Sequence, residues 1–163
     1  MKLTQEIIEV FLYDARSVDP MMFPAVNKLA TRLVGADTNT NRLFQYASRW
    51  LNAKMRIHAS DMQLQTHSGA SYLSETEARS RAGGFFFLGQ CEPGATPNAP
   101  VAYLSTIITT VVDSAAAAEY AALFICAQFA TSLRLTLAEL GYPQSATPIT
   151  CDNECAVGIA NKS

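Results

Sequence analysis

Apolar residues recur at three- and four-residue intervals from the start of the chain. Ile7, Ile8, Phe11, Leu12 and Ala15 mark one face of a helix over residues 4–15, with Thr4 as its N-cap. Asp19-Pro20 ends that helix, and Pro24 suits the first turn of a second, where its missing N–H costs nothing. Val26, Leu29, Ala30 and Leu33 supply the second apolar face, and Gly35 closes it. A polar stretch over residues 37–41 leads into a third helix bearing Leu43, Phe44, Ala47, Trp50 and Leu51. The period changes at Ala53. Residues 54–58 and 62–67 each alternate apolar with polar around Ala59-Ser60-Asp61, which predicts two strands joined by a short turn.

A polar loop holding Glu75, Glu77, Arg79 and Arg81 precedes residues 83–89, a short aromatic run bounded by glycines that predicts a buried strand. Gly83-Gly84 leads into a strand and not a helix, so it does not make a phosphate-cradling loop. Residues 92–100 hold three prolines and a glycine and read as a loop, while the Val, Ile and Thr of residues 101–112 favour extended structure. From Ser114, a capping residue, the pattern is helical for about seven turns to Leu140. Ala118, Ala121, Ala122, Ile125, Phe129, Leu133, Leu137 and Leu140 form its stripe, and Gly141 and Pro143 stop it. Residues 147–151 predict a short strand and residues 154–162 a last helix. Consecutive strands followed by helix, strand and helix imply an α/β (α+β) fold: a mixed sheet with an antiparallel start and a parallel end.

The chain has 163 residues, room for one domain or a domain with a piece of another. Hydrophobic residues make up 49% and charged residues 16%, so this sequence builds a core. The net charge of −2 lacks the basic excess of a typical nucleic-acid binder, so any such binding must be local. The longest uninterrupted apolar run, Tyr120 to Ala127, is well short of the roughly 18 residues of a membrane helix, so no span is expected. The polar start, Met1 to Glu6, lacks a signal-peptide pattern, and an intracellular location, cytoplasmic or nuclear, is expected. Cys91, Cys126, Cys151 and Cys155 are too sparse for a disulfide framework, and His58 and His67 do not join them in a zinc spacing. Cys151 and Cys155 alone cannot close a tetrahedral shell, so buried or half-buried thiols are expected.

Five blocks in order carry a resemblance: residues 67–72 (HSGASY), 80–89 (SRAGGFFFLG), 118–123 (AEYAAL), 140–144 (LGYPQ) and 151–156 (CDNECA). Together they resemble the ribonuclease H region of copia-type retrotransposon polyproteins. The upstream helices, through residues 17–20 and 25–29, resemble the segment that joins that family's reverse transcriptase to its ribonuclease H. The resemblance divides the chain into a helical connection, residues 1–52, and a ribonuclease H-like mixed sheet with packed helices, residues 53–163, C-terminally truncated.

The family's chemistry is cleavage of the RNA strand of an RNA/DNA hybrid by two Mg²⁺ ions about 3.5 to 4 Å apart, held by several carboxylates. The resemblance places the family's first Asp at Gly69, its helix Glu at Ala117 and its third carboxylate at Asp152, with a fourth beyond Ser163. Asp152 alone survives, as catalytic residue and metal ligand. Glu119, about 200° around the helix from Ala117, is expected to point away from the site. Asp113 lies at or before the cap, and Ser68 and Ser71 offer only hydroxyls. Asp152-Asn153 also makes a good helix N-cap on physical grounds alone. Arg79 and Arg81 suit phosphate contact or a solvated loop equally, and Trp50 and Phe85 to Phe87 are expected in the core. The expectation is thus a polyprotein fragment with a degenerate domain that binds Mg²⁺ weakly and does not cleave. Its partners by resemblance are an RNA/DNA hybrid and the rest of the polyprotein, and no membrane. The alternatives are a non-catalytic nucleic-acid-binding or structural module, and a chain whose carboxylates were removed to trap substrate. The fold's missing last strand would leave residues 147–151 with an unpaired edge, favouring aggregation.

Overall fold

The computed structural model of the protein describes residues 2–31, 37–90 and 97–162. Its elements are α1 (Lys2–Ser17), α2 (Phe23–Thr31), α3 (Asp37–Arg49), β1 (Gln63–Ser71), β2 (Arg81–Gly89), β3 (Pro100–Ile107), α4 (Ala115–Glu139), β4 (Ile149–Thr150) and α5 (Glu154–Ala160). The chain forms two compact units, Met1–Arg56 and Ile57–Ser163.

In the first unit the helical periodicity of the sequence is realised. Ala15, Met22, Phe23, Val26, Leu29 and Leu43 are buried, and the rings of Phe11 and Phe44 meet edge to face at 5.5 Å. After α1, Asp19 is buried and its Oδ1 accepts the Met21 N–H at 3.1 Å, capping a single 3-10 turn over Pro20–Met22. Pro24 sits in the first turn of α2 as its chemistry requires. The polar residues 37–41 belong to α3 and do not merely precede it. Gly35 and the close of the second helix lie outside the described residues. Trp50 and Leu51 follow α3 and are 58% and 82% exposed, which corrects the assignment of Trp50 to the core.

The second unit holds a four-stranded sheet in the order β3-β2-β1-β4. β1 pairs antiparallel with β2 from Gln63↔Gly89 to Ser71↔Arg81, β2 pairs antiparallel with β3, and β1 pairs parallel with β4 at Thr66↔Ile149. The mixed sheet read from the sequence is therefore present. Residues 54–58 are not a strand. The chain there is irregular, and His58 at its end is held by Asn98, whose Nδ2 donates to the carbonyls of His58 and Leu88 and whose Oδ1 accepts the His58 N–H. One side chain here meets the backbone needs that a strand ladder would otherwise satisfy. Arg81 also leaves the predicted loop: it opens β2, is buried, and pairs with Glu75 at 3.0 Å.

α4 starts where Ser114 Oγ accepts the Ala117 N–H at 3.1 Å and stops at Gly141, whose φ of +90° suits a residue without a Cβ. Its buried residues are Ala118, Ala122, Leu123, Cys126 and Ala130, mostly small side chains, which corrects the expected stripe: Cys126 and Ala130 lie outside it, and Leu140, which belongs to it, is exposed. The small side chains let the helix lie close on β2, where the Cys126 thiol donates to the Gly83 carbonyl at 3.5 Å. Leu64 and Phe86 pack against Cys126 and Ala130, and Ala82 and Ile108 against Ala118 and Ala122. The outer side of α4 carries Tyr120, Phe124 and Leu135, all exposed. Over 18 residues its mean hydropathy reaches 1.5, so length and composition are sufficient to cross a membrane. Gln128, Thr131 and Ser132 break the uninterrupted run without lowering the average below that level. In this fold the helix packs across β1 and β2.

Candidate metal centre

β1 and β4 run parallel, so their C-terminal ends open on the same side of the sheet. Ligands and ions in open α/β sheets bind outside such ends. At this end the last residues of β1 are small, and position 69 is a glycine at which an added Cβ would meet no atom within 4 Å. Immediately after β4 come Cys151, half-buried, and Asp152, exposed.

Asp152 does not cap the following helix. Asn153 does, its Oδ1 accepting the Ala156 N–H at 3.0 Å, which leaves the Asp152 carboxylate unused by the cap. Glu119, in the second turn of α4, reaches the same place. Its Oε1 accepts the Ala70 N–H at 2.9 Å, and its Oε2 accepts the Cys151 thiol proton across 3.8 Å. One ligand atom from each of Glu119, Cys151 and Asp152 lies within 4.8 Å of the others, a possible metal-binding triad.

The exclusion of Glu119 is corrected by this geometry. The 200° between positions 117 and 119 holds, but it shows only that the two residues point apart. The side facing the strand ends is the one that carries Glu119, shared with the buried Cys126 two turns later. Ala117 lies half-buried in the first turn, and its N–H is spent on Ser114. A carboxylate flanking the buried line of a core helix was the available signal. Cys151 has neighbours that its spacing to Cys155 does not supply: Glu119 of α4, 32 residues away in sequence, and the adjoining Asp152. Cys155 is exposed and outside the triad. Cys91 lies outside the described residues.

The thiol chemistry of the site is set by its surroundings. Burial pushes the Cys151 thiol up, the Asn153 backbone N–H opposes the shift, and the negative charges of Glu119 and Asp152 raise it further. At neutral pH Cys151 is thus a protonated donor to Glu119, and a cation would have to displace that proton to use the sulfur. Ser68 is buried beside the Cys126 thiol, and Ser71 is exposed with its hydroxyl 2.6 Å from that of Ser74. Asp113 is exposed before the cap of α4. Arg79 is exposed and paired with Glu77 at 2.6 Å; Arg81 is buried with Glu75 and Ser105 and is not available to a phosphate. His67 stands exposed on the sheet beside Phe85 and Phe87.

No protein-family model matches the chain, and no curated protein or solved structure matches it either.

Proposed function

We propose that the chain is a fragment of a copia-type retroelement polyprotein and that its second unit is a ribonuclease H-like domain without hydrolytic activity. The observation that carries this reading is the meeting of Glu119 and Asp152 at the common open end of β1 and β4. The five resembling sequence blocks include both residues, and the mixed sheet, antiparallel at its start and parallel at its end, supports the reading.

Loss of hydrolysis follows from the donor set. A pair of Mg²⁺ ions needs several hard oxygen ligands. Here there are two carboxylates, a thiol that keeps its proton, and Gly69 where a further carboxylate belongs. These residues do not fit two Mg²⁺ ions, and one divalent cation is the most the triad can hold.

The test is incubation of the chain with a labelled RNA/DNA hybrid and Mg²⁺ or Mn²⁺. No cleavage is expected. Metal-dependent cleavage that disappears in Asp152→Asn would overturn the inactive assignment. Gly69→Asp, placed where there is open room, is expected to tighten Mn²⁺ binding as followed by electron paramagnetic resonance. Unchanged Mn²⁺ binding would count against position 69 as part of the centre.

A further inference from the structure

The net charge of −2 is unevenly shared. Residues 1–56 carry eight Lys and Arg against five Asp and Glu, a net +3, and residues 57–163 carry four against nine, a net −5. Within the first unit the positive charge is concentrated further. Lys28 is the only charged residue of α2, and α3 carries Arg42 and Arg49 with no acidic residue after Asp37.

Two adjoining hollows share Arg42 and Tyr46. One, of about 450 Å³, is floored by Met22, Leu29 and Leu43 and bordered by Lys28. The other, of about 480 Å³, is bordered by Arg49 and Trp50. Arg42, Tyr46, Arg49 and Trp50 stand four, three and one residues apart, the spacing of one helix face over two turns. Neither Arg42 nor Arg49 has an ion-pair partner among the described residues. The rings of Tyr46 and Trp50 lie 6.4 Å apart, and the Tyr46 hydroxyl is fixed by the Asp19 carboxylate. An exposed ring, Trp50, and a half-buried one, Tyr46, alternating with guanidinium groups that have no ion-pair partner among the described residues match a polyanion that also presents flat bases.

We propose that this face of α3 binds single-stranded nucleic acid, with bases stacking on Trp50 and Tyr46 and phosphates held by Arg42, Arg49 and Lys28. It is a site in the first unit, independent of the metal centre, and it places locally the binding that the overall charge argues against.

Trp50 is the only tryptophan of the chain and reports on the site directly. The full chain is titrated with oligo(dT) and oligo(U) of about 12 nucleotides, a length within the range of single-strand sites. Quenching of Trp50 fluorescence is expected, with affinity falling as salt rises at a slope of about −2 on logarithmic axes for three phosphates. Arg42→Ala/Arg49→Ala is expected to weaken binding at least tenfold with an unchanged circular dichroism spectrum. Trp50→Phe is expected to weaken it too, read by anisotropy of a labelled strand. The proposal is overturned by absence of quenching at low salt, by equal quenching with poly(glutamate), or by unchanged affinity of the double arginine variant. Because none of these residues belongs to the triad, failure here leaves the hybrid-cleavage test untouched.

Discussion

Glu119 Oε1 accepts the backbone N–H of Ala70 at 2.9 Å, tying the second turn of α4 to the end of β1. The other oxygen of the same carboxylate takes the Cys151 thiol beyond β4. One side chain thus joins three segments that lie far apart in sequence, and it is both a structural tie and the inner member of the triad.

Removing it leaves two half-buried donors without an acceptor. Glu119→Ala is expected to destabilise the second unit by about 1–2 kcal/mol, the usual cost of orphaned donors. Glu119→Gln keeps an acceptor oxygen and should cost less than half of that. Urea unfolding of the two variants beside the parent chain decides it, and equal stability of all three would refute the tie.

Stability should fall in mildly alkaline solution. Burial raises the Cys126 thiol first of all, as it does that of Cys151, so both hold their protons more tightly folded than unfolded. Their contribution is therefore complete below the ordinary thiol range and is lost as pH rises through the higher folded values. Unfolding free energies measured between about pH 7 and 10 should decline, and Cys126→Ala/Cys151→Ala should decline less steeply over the same interval.

Two glycines facing opposite circumstances should answer oppositely to alanine. At Gly69 the added Cβ meets nothing within 4 Å, so Gly69→Ala should stabilise by about 0.5 kcal/mol through the unfolded chain. At Gly84 it would stand 2.8 Å from Cys126 Sγ and 2.9 Å from the Phe86 ring, and Gly84→Ala should cost about 1–3 kcal/mol. Thermal melts of the pair separate the outcomes by sign.

Arg81 and Glu75 pair at 3.0 Å with side chains only 10% and 7% exposed. Arg81→Ala removes the guanidinium that faces a buried carboxylate and should destabilise by about 3 kcal/mol. Arg81→Ala/Glu75→Ala should recover part of that loss; a double variant no better than the single would show that the carboxylate has other sufficient support.

The elements legible in the sequence were those whose own periodicity or punctuation defines them. α1 and α2 follow their apolar spacing, Ser114 and Gly141 bound α4 as capping chemistry demands, and residues 83–89 lie within β2. The misread segments were those settled by distant partners. Residues 54–58 alternate like a strand yet are irregular, with His58 bonded to Asn98, and the second half of β1, His67-Ser68-Gly69-Ala70-Ser71, is a strand despite small polar residues of low β propensity. Arg81 reads as loop because a lone arginine suggests solvent, and only the facing Glu75 makes its burial possible.

The sequence by itself determined the mixed character of the sheet, the helical start and the bounds of α4. All of these depend on local spacing or on short contiguous motifs. Only the tertiary structure decided that Glu119 and not Ala117 faces the strand ends, that Asn153 does the capping beside Asp152, and that Trp50 stands in solvent. The angle between two residues on a helix is fixed by its pitch, but the face turned inward is chosen by packing against strands elsewhere in the chain. Composition gave a net −2, and the folded chain separates it into a basic first unit and an acidic second. A sum of charges carries no positions, and recognition depends on positions.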